Sequence, residues 1–267
     1  MNRLLPRLLL TPAVATLLLW MLVPLVMSVY FSVIRYNLMQ PEQTGFIGLE
    51  NFEYFLTDPS FSVAVLNTIW LLGSVIIITV VVGAALALLI DEAFPGRAVV
   101  RLLLISPFFV MPTVNALLWK HMMMHPIYGA LAQVWIFFGA TPLEWLSDFP
   151  LGSIVIMVAW QWLPFATLII LTALQSFDEE QKEAAQMDGT PPISFFWYMI
   201  IPHLARPVTV VILIETIFLL NVFAEIYVTG SGGRAGNLPF LVYQYGLISN
   251  DIGGASAGGI IAVVLAN

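Results

Sequence analysis

The chain has 267 residues, of which 60% are hydrophobic and 9% charged, and its mean hydropathy is +0.94. Soluble domains carry about a quarter charged residues, so these values indicate an integral membrane protein and exclude an ordinary soluble domain. The net charge of -7 comes without a basic cluster, which argues against nucleic acid as a partner. There is no cysteine and the three histidines are scattered, so neither a disulfide framework nor a metal site is predicted.

The first apolar run follows a short basic segment and resembles the start of a secretory signal. The apolar core of a signal is about 7–15 residues long. This uncharged run extends from Leu8 to Ile34, which is enough for a membrane span of about 20 residues. We therefore predict that it is retained as the first transmembrane helix.

Further apolar runs predict an all-α membrane helix bundle of six spans that forms a single transmembrane domain, residues 1–267. The predicted spans are approximately residues 8–34, 63–90, 102–124, 151–174, 208–228 and 258 to the end. Pro107 and Pro112 interrupt the third run, and neighbouring helices can satisfy the backbone groups that prolines free. The sixth run is too short to cross a bilayer, so a truncated last span is expected. Gly254 and Gly258 within it have the G-x-x-x-G spacing that favours close packing.

Polar side chains interrupt three of the apolar runs, where they are costly unless they face a cavity or a partner. Together with nearby aromatic residues they predict a substrate pathway lined by Asn115, Trp119, Trp160, Gln161, Asn221 and Glu225. Asn221 and Glu225 are four positions apart, so they would share a face of a continuous fifth helix. They could instead hold helices together or pair with Lys120, and the sequence leaves both interpretations open.

One polar connection, residues 178–202, has the composition of a helix, a turn and a second helix. The stretch from Asp178 to Gly189 contains good helix formers and ends on a glycine suited to a left-handed helix cap. Thr190 and Pro191 then predict a second short helix, with Thr190 as its N-cap and Pro191 at its first position. We call this connection the 178–202 loop.

Residues at fixed spacing in this loop resemble the EAA loop of permease subunits of ATP-binding-cassette (ABC) importers, E-A-A-x3-G-x9-I-x-L-P. The matching residues are Glu183, Ala184, Ala185, Gly189 and Pro202. Met199 and Ile201 replace the Ile and Leu of the motif by apolar residues of similar size. Ala184 and Ala185 are small enough to let another surface approach the backbone closely. The resemblance implies coupling to an ATPase through Glu183, Ala184, Ala185, Asp188, Gly189 and Pro202.

The resemblance covers most of the chain, including the outer segment from Gly48 to Phe61. It is nearest to type I, binding-protein-dependent importers of the carbohydrate and polyol group, namely maltose-type first permeases and sorbitol or mannitol permeases. It implies a complex with a second permease subunit, two ATPase subunits that bind ATP and Mg, and a periplasmic or lipid-anchored substrate-binding protein, all at a lipid membrane. No cofactor is expected in this chain, and the chain is predicted to be a transporter subunit, not an enzyme.

The distribution of basic residues predicts the orientation in the membrane. With a cytoplasmic N-terminus, the basic residues inside are Arg3, Arg7, Arg97, Arg101, Lys182 and Arg206, and those outside are Arg35, Lys120 and Arg234. The 178–202 loop then lies on the cytoplasmic side of a bacterial inner membrane, as contact with an ATPase requires. The alternative class is a secondary transporter driven by protons or sodium, with Glu215 and Glu225 carrying the coupling ion.

Overall fold

The computed structural model describes residues 4–92 and 94–266. Residues 1–3, 93 and 267 lie outside the described residues. They include Arg3, at the start of the predicted domain, and the last residue of the predicted sixth span. The helices are α1 (Leu4–Ser32), α2 (Glu50–Thr57), α3 (Pro59–Asp91), α4 (Arg97–Ile105), α5 (Pro112–Leu118), α6 (Ala130–Phe137), α7 (Trp145–Asp148), α8 (Pro150–Gln175), α9 (Glu179–Met187), α10 (Pro192–Phe195), α11 (Ile201–Leu219), α12 (Ala224–Thr229), α13 (Gly232–Ala235), α14 (Leu238–Tyr243) and α15 (Ile252–Ala266). This architecture confirms the predicted all-α class.

Tighter and wider helical turns extend several of these helices. The 3₁₀ turns are Pro41–Gln43 and Ser106–Phe109, and the π turns are Trp119–Met123, Phe196–Ile200 and Gln244–Ile248. Two short strands, β1 (Ile34–Arg35) and β2 (Gly45–Phe46), pair in antiparallel fashion.

Four helices within the described residues are long and apolar enough to cross a membrane. They are Leu9–Ser32, Pro59–Asp91, Pro150–Gln175 and Pro192–Leu219. A fifth candidate span is the pair Arg97–Phe109 and Pro112–Met123, which is bent by 106°. A proline disfavours helical geometry in the residue before it. Met111, which precedes Pro112, accordingly adopts an extended conformation with ψ of 142°. The apolar helices Leu238–Ile248 and Ile252–Ala266 are shorter.

The chain divides into two compact units, one formed by the chain up to Val65 and from Asn237 onward, the other by Leu66–Gly236. In the first unit, α15 packs against α1, α2 and α14. The buried Asn51 amide donates hydrogen bonds to the carbonyls of Ser32 (2.9 Å) and Ile34 (2.8 Å). These bonds fix α2 against the end of α1 and the start of β1, and the Ser32 carbonyl is among the last carbonyls of α1, which lack a partner within the helix.

A second polar contact in the first unit joins residues that are far apart in sequence. The Tyr245 hydroxyl donates a hydrogen bond to the Asp58 carboxylate at 2.6 Å. Partial burial raises the pKa of Asp58, but the hydrogen bonds from Tyr245 and from the backbone and side chain of Ser60 outweigh it and lower the pKa below its usual value. The carboxylate therefore stays ionised and holds the π turn Gln244–Ile248 against the start of α3.

Close packing of α15 gives a stability prediction with an internal control. A Cβ added at Gly253 would overlap the Ile34 carbonyl oxygen and lie 2.9 Å from the Asn51 Nδ2, whereas one at Gly259 would meet nothing within 4 Å. We expect Gly253→Ala to destabilise the protein by about 1–3 kcal/mol. We expect Gly259→Ala to be neutral or stabilising by up to about 1 kcal/mol, because alanine favours helix.

Thermal unfolding of the two variants in detergent checks this prediction. Equal transition temperatures for Gly253→Ala and Gly259→Ala would show that α15 does not pack closely on the chain after α1.

The second unit is organised around α8, which packs against α11 and the turn Ser106–Phe109. A buried apolar cluster fills the end of this unit nearest the 178–202 loop, with members Ala87, Ile90, Ile170, Leu171, Ala173, Leu174, Ile200 and Leu204. At Gly83 in α3, an added Cβ would lie 3.2 Å from the Thr167 backbone nitrogen in α8. The absence of a side chain at Gly83 therefore permits close approach of the two helices.

Candidate functional site

The end of α9 in the 178–202 loop is built around one glycine. The Thr190 N–H donates to the Ala185 carbonyl, and the Gly189 N–H donates to the Gln186 carbonyl, both at 3.0 Å. These two bonds form a Schellman motif, in which the residue after the cap is left-handed. Gly189 has a φ of 67°, so the left-handed conformation predicted from the sequence is confirmed.

The second half of the loop differs from the prediction of a separate short helix. Thr190 is engaged in the Schellman motif, Pro191 is extended with ψ of 144°, and the helix begins one residue later with Pro192. The reason is that Pro191 itself precedes a proline, which disfavours helical geometry. The helix then continues through the π turn Phe196–Ile200 into α11. Pro202 follows this wide turn, which accommodates the missing proline N–H.

Side chains of the loop divide into an outward and an inward set. Of the predicted coupling residues, the exposed ones are Glu183, Ala184, Asp188, Gly189 and Pro202. Ala185 is buried and lines a cavity of about 170 Å³ within the loop, so it is used in the loop's own packing. Met187 and Ile193 are 88% and 74% exposed. The outward face therefore presents apolar as well as polar groups.

A second feature lies between α8, α11 and the turn Ser106–Phe109. It is a cavity of about 250 Å³, lined by Phe108, Gln161, Trp162, Phe165, Ile214 and Phe218; we call it the aromatic cavity. The Trp162 ring centroid lies 5.6 Å from that of Phe108, 5.8 Å from that of Phe165 and 5.2 Å from that of Phe218. Such contacts fix the orientation of the rings around the cavity.

Gln161 is the polar residue of the aromatic cavity, and its amide is held in place from two sides. Its Nε2 donates to the Val110 carbonyl at 2.6 Å, and its Oε1 accepts from the Asn115 Nδ2 at 2.9 Å. The Asn115 Nδ2 also donates to the Met157 carbonyl at 3.1 Å. Asn115 is fully buried and does not line the cavity. It therefore positions Gln161 at the bend of the chain after Val110.

The two tryptophans predicted for the pathway pack against each other. The rings of Trp119 and Trp160 lie edge to face with centroids 5.9 Å apart. Trp119 is buried, with 7% exposure, and neither ring lines the aromatic cavity. Of the six predicted pathway residues, only Gln161 is brought to this cavity.

The expectation that Asn221 and Glu225 share one helical face is wrong. The helix α11 ends at Leu219, and a separate helix, α12, begins at Ala224. The Asn221 side chain donates to the Ile217 carbonyl at 2.8 Å, and asparagine side chains that bond to nearby backbone compete with helix continuation. Asn221 is exposed at this break, whereas Glu225 is buried in the first turn of α12.

Other charged residues within the apolar runs also have specific partners. The buried Glu215 carboxylate accepts a hydrogen bond from the Thr79 hydroxyl at 2.7 Å, which ties α11 to α3. Lys120 donates to the Val228 carbonyl at 3.1 Å. In residues 4–92 and 94–266, no ion pair joins Lys120 to a carboxylate. The suggested pairing of Lys120 with Glu225 is therefore not observed.

Four aromatic residues of the cavity were absent from the predicted pathway: Phe108, Trp162, Phe165 and Phe218. Trp162 and Phe165 are three positions apart in α8, so their spacing already indicates a common helix face. Nothing in the local sequence relates this face to Phe108 or Phe218, which come from other helices.

Comparison with known proteins decides the family. Residues 52–267 match the family described as "Binding-protein-dependent transport system inner membrane component". The chain belongs to this family of ABC transporter permeases. The permease is therefore an inner membrane transporter subunit and not an enzyme, as predicted, and the carboxylates of its spans need no role as ion carriers.

Individual relatives agree with this membership. The permease is 33% identical to the "Probable ABC transporter permease protein y4oQ" of Sinorhizobium fredii, over 95% of this chain and 83% of the relative. It is 28% identical to the "Trehalose/maltose transport system permease protein MalF" of Thermococcus litoralis, over 97% of this chain and 88% of the relative.

A solved structure shares the fold. The match is to a chain of the "bacterial alginate ABC transporter in complex with alginate pentasaccharide-bound periplasmic protein". The TM-score is 0.81 and the sequence identity 20%, over 98% of the permease and 90% of that chain. This likeness confirms the ABC importer permease fold.

Proposed function

We propose that the permease forms half of the translocation pore of an ATP-driven importer of a sugar or polyol. The aromatic cavity is the observation that carries this proposal. Sugar and polyol chains present apolar C–H faces between hydroxyl groups, so they suit a cavity of aromatic rings with a fixed amide, here Gln161. The relative named for trehalose and maltose transport supports this class of substrate. Within it, the resemblance to sorbitol and mannitol permeases favours a polyol.

The substrate pathway in this proposal is centred on Gln161 and the rings around it. Asn221, exposed at the break after α11, is the next polar group that we assign to the pathway. Irregular backbone at membrane depth is tolerated where it lines a cavity, which supports placing this break beside the pore. Asn115, Trp119 and Glu225 are buried and Trp160 is half-buried, and these four residues act in the proposal by positioning these elements.

Coupling to ATP hydrolysis is assigned to the 178–202 loop. Its outward residues Glu183, Ala184 and Asp188, together with the exposed Met187, offer a polar rim and an apolar anchor for a soluble partner. The Schellman motif at Gly189 gives the end of α9 a defined backbone conformation, so that movement of a bound partner can be transmitted through the loop. We propose that this loop lies in the cytoplasm, as does the N-terminus, and docks onto one of two ATPase subunits that bind ATP and Mg.

The remaining partners complete the importer. A second permease subunit supplies the other half of the pore, and a periplasmic or lipid-anchored substrate-binding protein delivers the substrate. This arrangement is supported by membership in the family of binding-protein-dependent transport systems and by the alginate transporter, whose structure includes a periplasmic protein with bound alginate pentasaccharide.

Reconstitution tests the proposal. We reconstitute the permease in liposomes together with its partner permease and the ATPase subunits, and we supply the substrate-binding protein. Uptake of labelled disaccharides, hexitols and glycerol phosphate is then measured with ATP inside the liposomes. We expect ATP-dependent uptake of one sugar or polyol that also stimulates ATP hydrolysis. Liposomes with the permease alone are expected to show no uptake, because they lack the ATPase subunits that drive transport and the second half of the pore.

The opposing outcomes are also specific. Uptake by the permease alone, or uptake that stops when the proton gradient collapses while ATP is constant, would assign transport to an ion-coupled mechanism. Uptake of amino acids or metal ions instead of sugars would leave the importer standing and overturn the substrate class.

A further inference from the structure

A histidine joins the two helices that enter and leave the 178–202 loop. His203 is half-buried in the first turn of α11, and its Nε2 lies 2.9 Å from the Ala173 carbonyl oxygen near the end of α8. A carbonyl oxygen only accepts hydrogen bonds, so Nε2 carries the hydrogen and donates it. This bond ties the start of α11 directly to the end of α8.

Two phenylalanines complete this contact on the side of the loop. The Phe177 ring lies edge to face against the His203 ring, with centroids 5.1 Å apart, and against the Phe195 ring at 5.7 Å. Edge-to-face contacts of this kind fix the relative orientation of the rings. Phe177 immediately precedes Asp178, the N-cap of α9, and Phe195 lies on α10 beyond the turn at Gly189. We call Phe177, Phe195 and His203 the clasp.

The clasp lies between α9 and the two helices that form most of the aromatic cavity. The helices α8 and α11 supply every lining residue of that cavity except Phe108. The chain enters α9 just after Phe177 and reaches Phe195 soon after leaving it. Both phenylalanines also pack on the buried apolar cluster at this end of the unit. A displacement of α9 therefore meets α8 and α11 at the clasp, where packed side chains can pass it on.

We propose that the clasp makes α8 and α11 follow α9 together, so that a movement of α9 changes the aromatic cavity. This inference rests on the proposed docking of the 178–202 loop onto an ATPase subunit. His203 and Phe177 are positioning residues in it, since neither lines the aromatic cavity. Without the bond from His203, α9 still docks, but its movement no longer shifts both cavity helices.

The local hydrogen bonds make His203 a suitable residue to replace. The Ala173 carbonyl also accepts from the Ser176 hydroxyl at 2.8 Å, so loss of the His203 donor leaves this acceptor paired. An acceptor that keeps a partner avoids the full cost of an unsatisfied polar group. We therefore expect His203 variants to fold and to co-purify with the other subunits.

The first measurement compares ATP hydrolysis of the reconstituted complex with and without the loaded substrate-binding protein. We expect His203→Ala to lower the stimulation about fivefold, the equivalent of one hydrogen bond, with basal hydrolysis unchanged. His203→Gln is expected to keep most of the stimulation, because its amide N–H can replace the Nε2 donor. Phe177→Ala is expected to resemble His203→Ala. The control is His121→Ala, which removes an exposed histidine outside the clasp.

The second measurement follows the position of α9 and needs no substrate. The permease has no cysteine, so spin labels can be attached at Gln181→Cys on α9 and Val210→Cys on α11, both exposed. Pulsed electron paramagnetic resonance then gives the distribution of distances between the labels in the assembled complex. We expect one narrow distribution in the native background and in His203→Gln, and a broader one in His203→Ala.

Several results would overturn the clasp. They are native stimulation in His203→Ala, equal losses in His203→Gln and His203→Ala, and lost stimulation with an unchanged distance distribution. Failure of the proposed function differs from all of these, because no sugar or polyol would then stimulate hydrolysis even in the native complex. In that case the distances alone decide: broadening in His203→Ala but not in His203→Gln supports the clasp, and equal distributions overturn it.

Discussion

Replacement of Gly189 by valine is expected to uncouple ATP hydrolysis from substrate or to weaken assembly of the complex. Gly189 has a φ of 67°, and a Cβ added there would meet nothing within 4 Å, so the effect comes from backbone conformation and not from a clash. A left-handed conformation costs an L-residue roughly 1–2 kcal/mol, and a β-branched side chain adds to this cost. Relief of the strain would break the Schellman motif and turn the outward face of α9 away from the proposed ATPase partner.

The measurement is ATPase activity of the reconstituted complex with and without the loaded substrate-binding protein, together with co-purification of the ATPase subunits. Gly189→Asn is the control, because asparagine tolerates the left-handed conformation better than other residues with a side chain. It is expected to keep most of the stimulation. Normal stimulated hydrolysis and uptake in Gly189→Val would show that the end of α9 does not transmit the coupling.

Truncation of Trp162 or Phe165 to alanine is expected to lower uptake about tenfold while basal ATP hydrolysis continues. Each ring lines the aromatic cavity and contacts the Phe108 ring, with Trp162 5.6 Å and Phe165 5.9 Å from it between centroids. In the proposed pathway, loss of one ring removes a stacking surface for the substrate and disturbs the neighbouring rings, at a cost of roughly 1–1.5 kcal/mol. Gln161 is a less suitable target, since its loss also removes one acceptor of the Asn115 amide and the side-chain donor to the Val110 carbonyl.

Phe137→Ala provides the comparison for these variants. Phe137 is 84% exposed in α6 and does not line the aromatic cavity, so its uptake is expected to match that of the native complex. Assembly is checked by co-purification of all subunits, because truncation of a half-buried aromatic side chain can also destabilise the fold. Assembled Trp162→Ala and Phe165→Ala complexes that transport at native rate and affinity would place the substrate elsewhere.

The sequence determines those features whose causes are local. Long uncharged runs give the membrane class, because the backbone of a span must satisfy its own hydrogen bonds in lipid. Asp178 caps α9 by accepting from the Glu180 N–H at 3.0 Å, and Gly189 closes it, because caps depend on residues within one turn. The proline at position 112 likewise marks the bend of the third run.

The tertiary structure alone decides what depends on helices that are distant in sequence. A continuous fifth helix was the natural expectation from hydropathy, yet α11 ends at Leu219, since the Asn221 amide bonds to the Ile217 carbonyl and the chain after it packs separately. The aromatic cavity combines side chains of α8, α11 and the turn Ser106–Phe109. Hydropathy and spacing describe one helix at a time, so they predict which faces are polar or aromatic but not which faces meet. Packing between helices decides which faces meet. It places Gln161 at the aromatic cavity and Asn115 behind Gln161, where Asn115 holds the Gln161 amide in position.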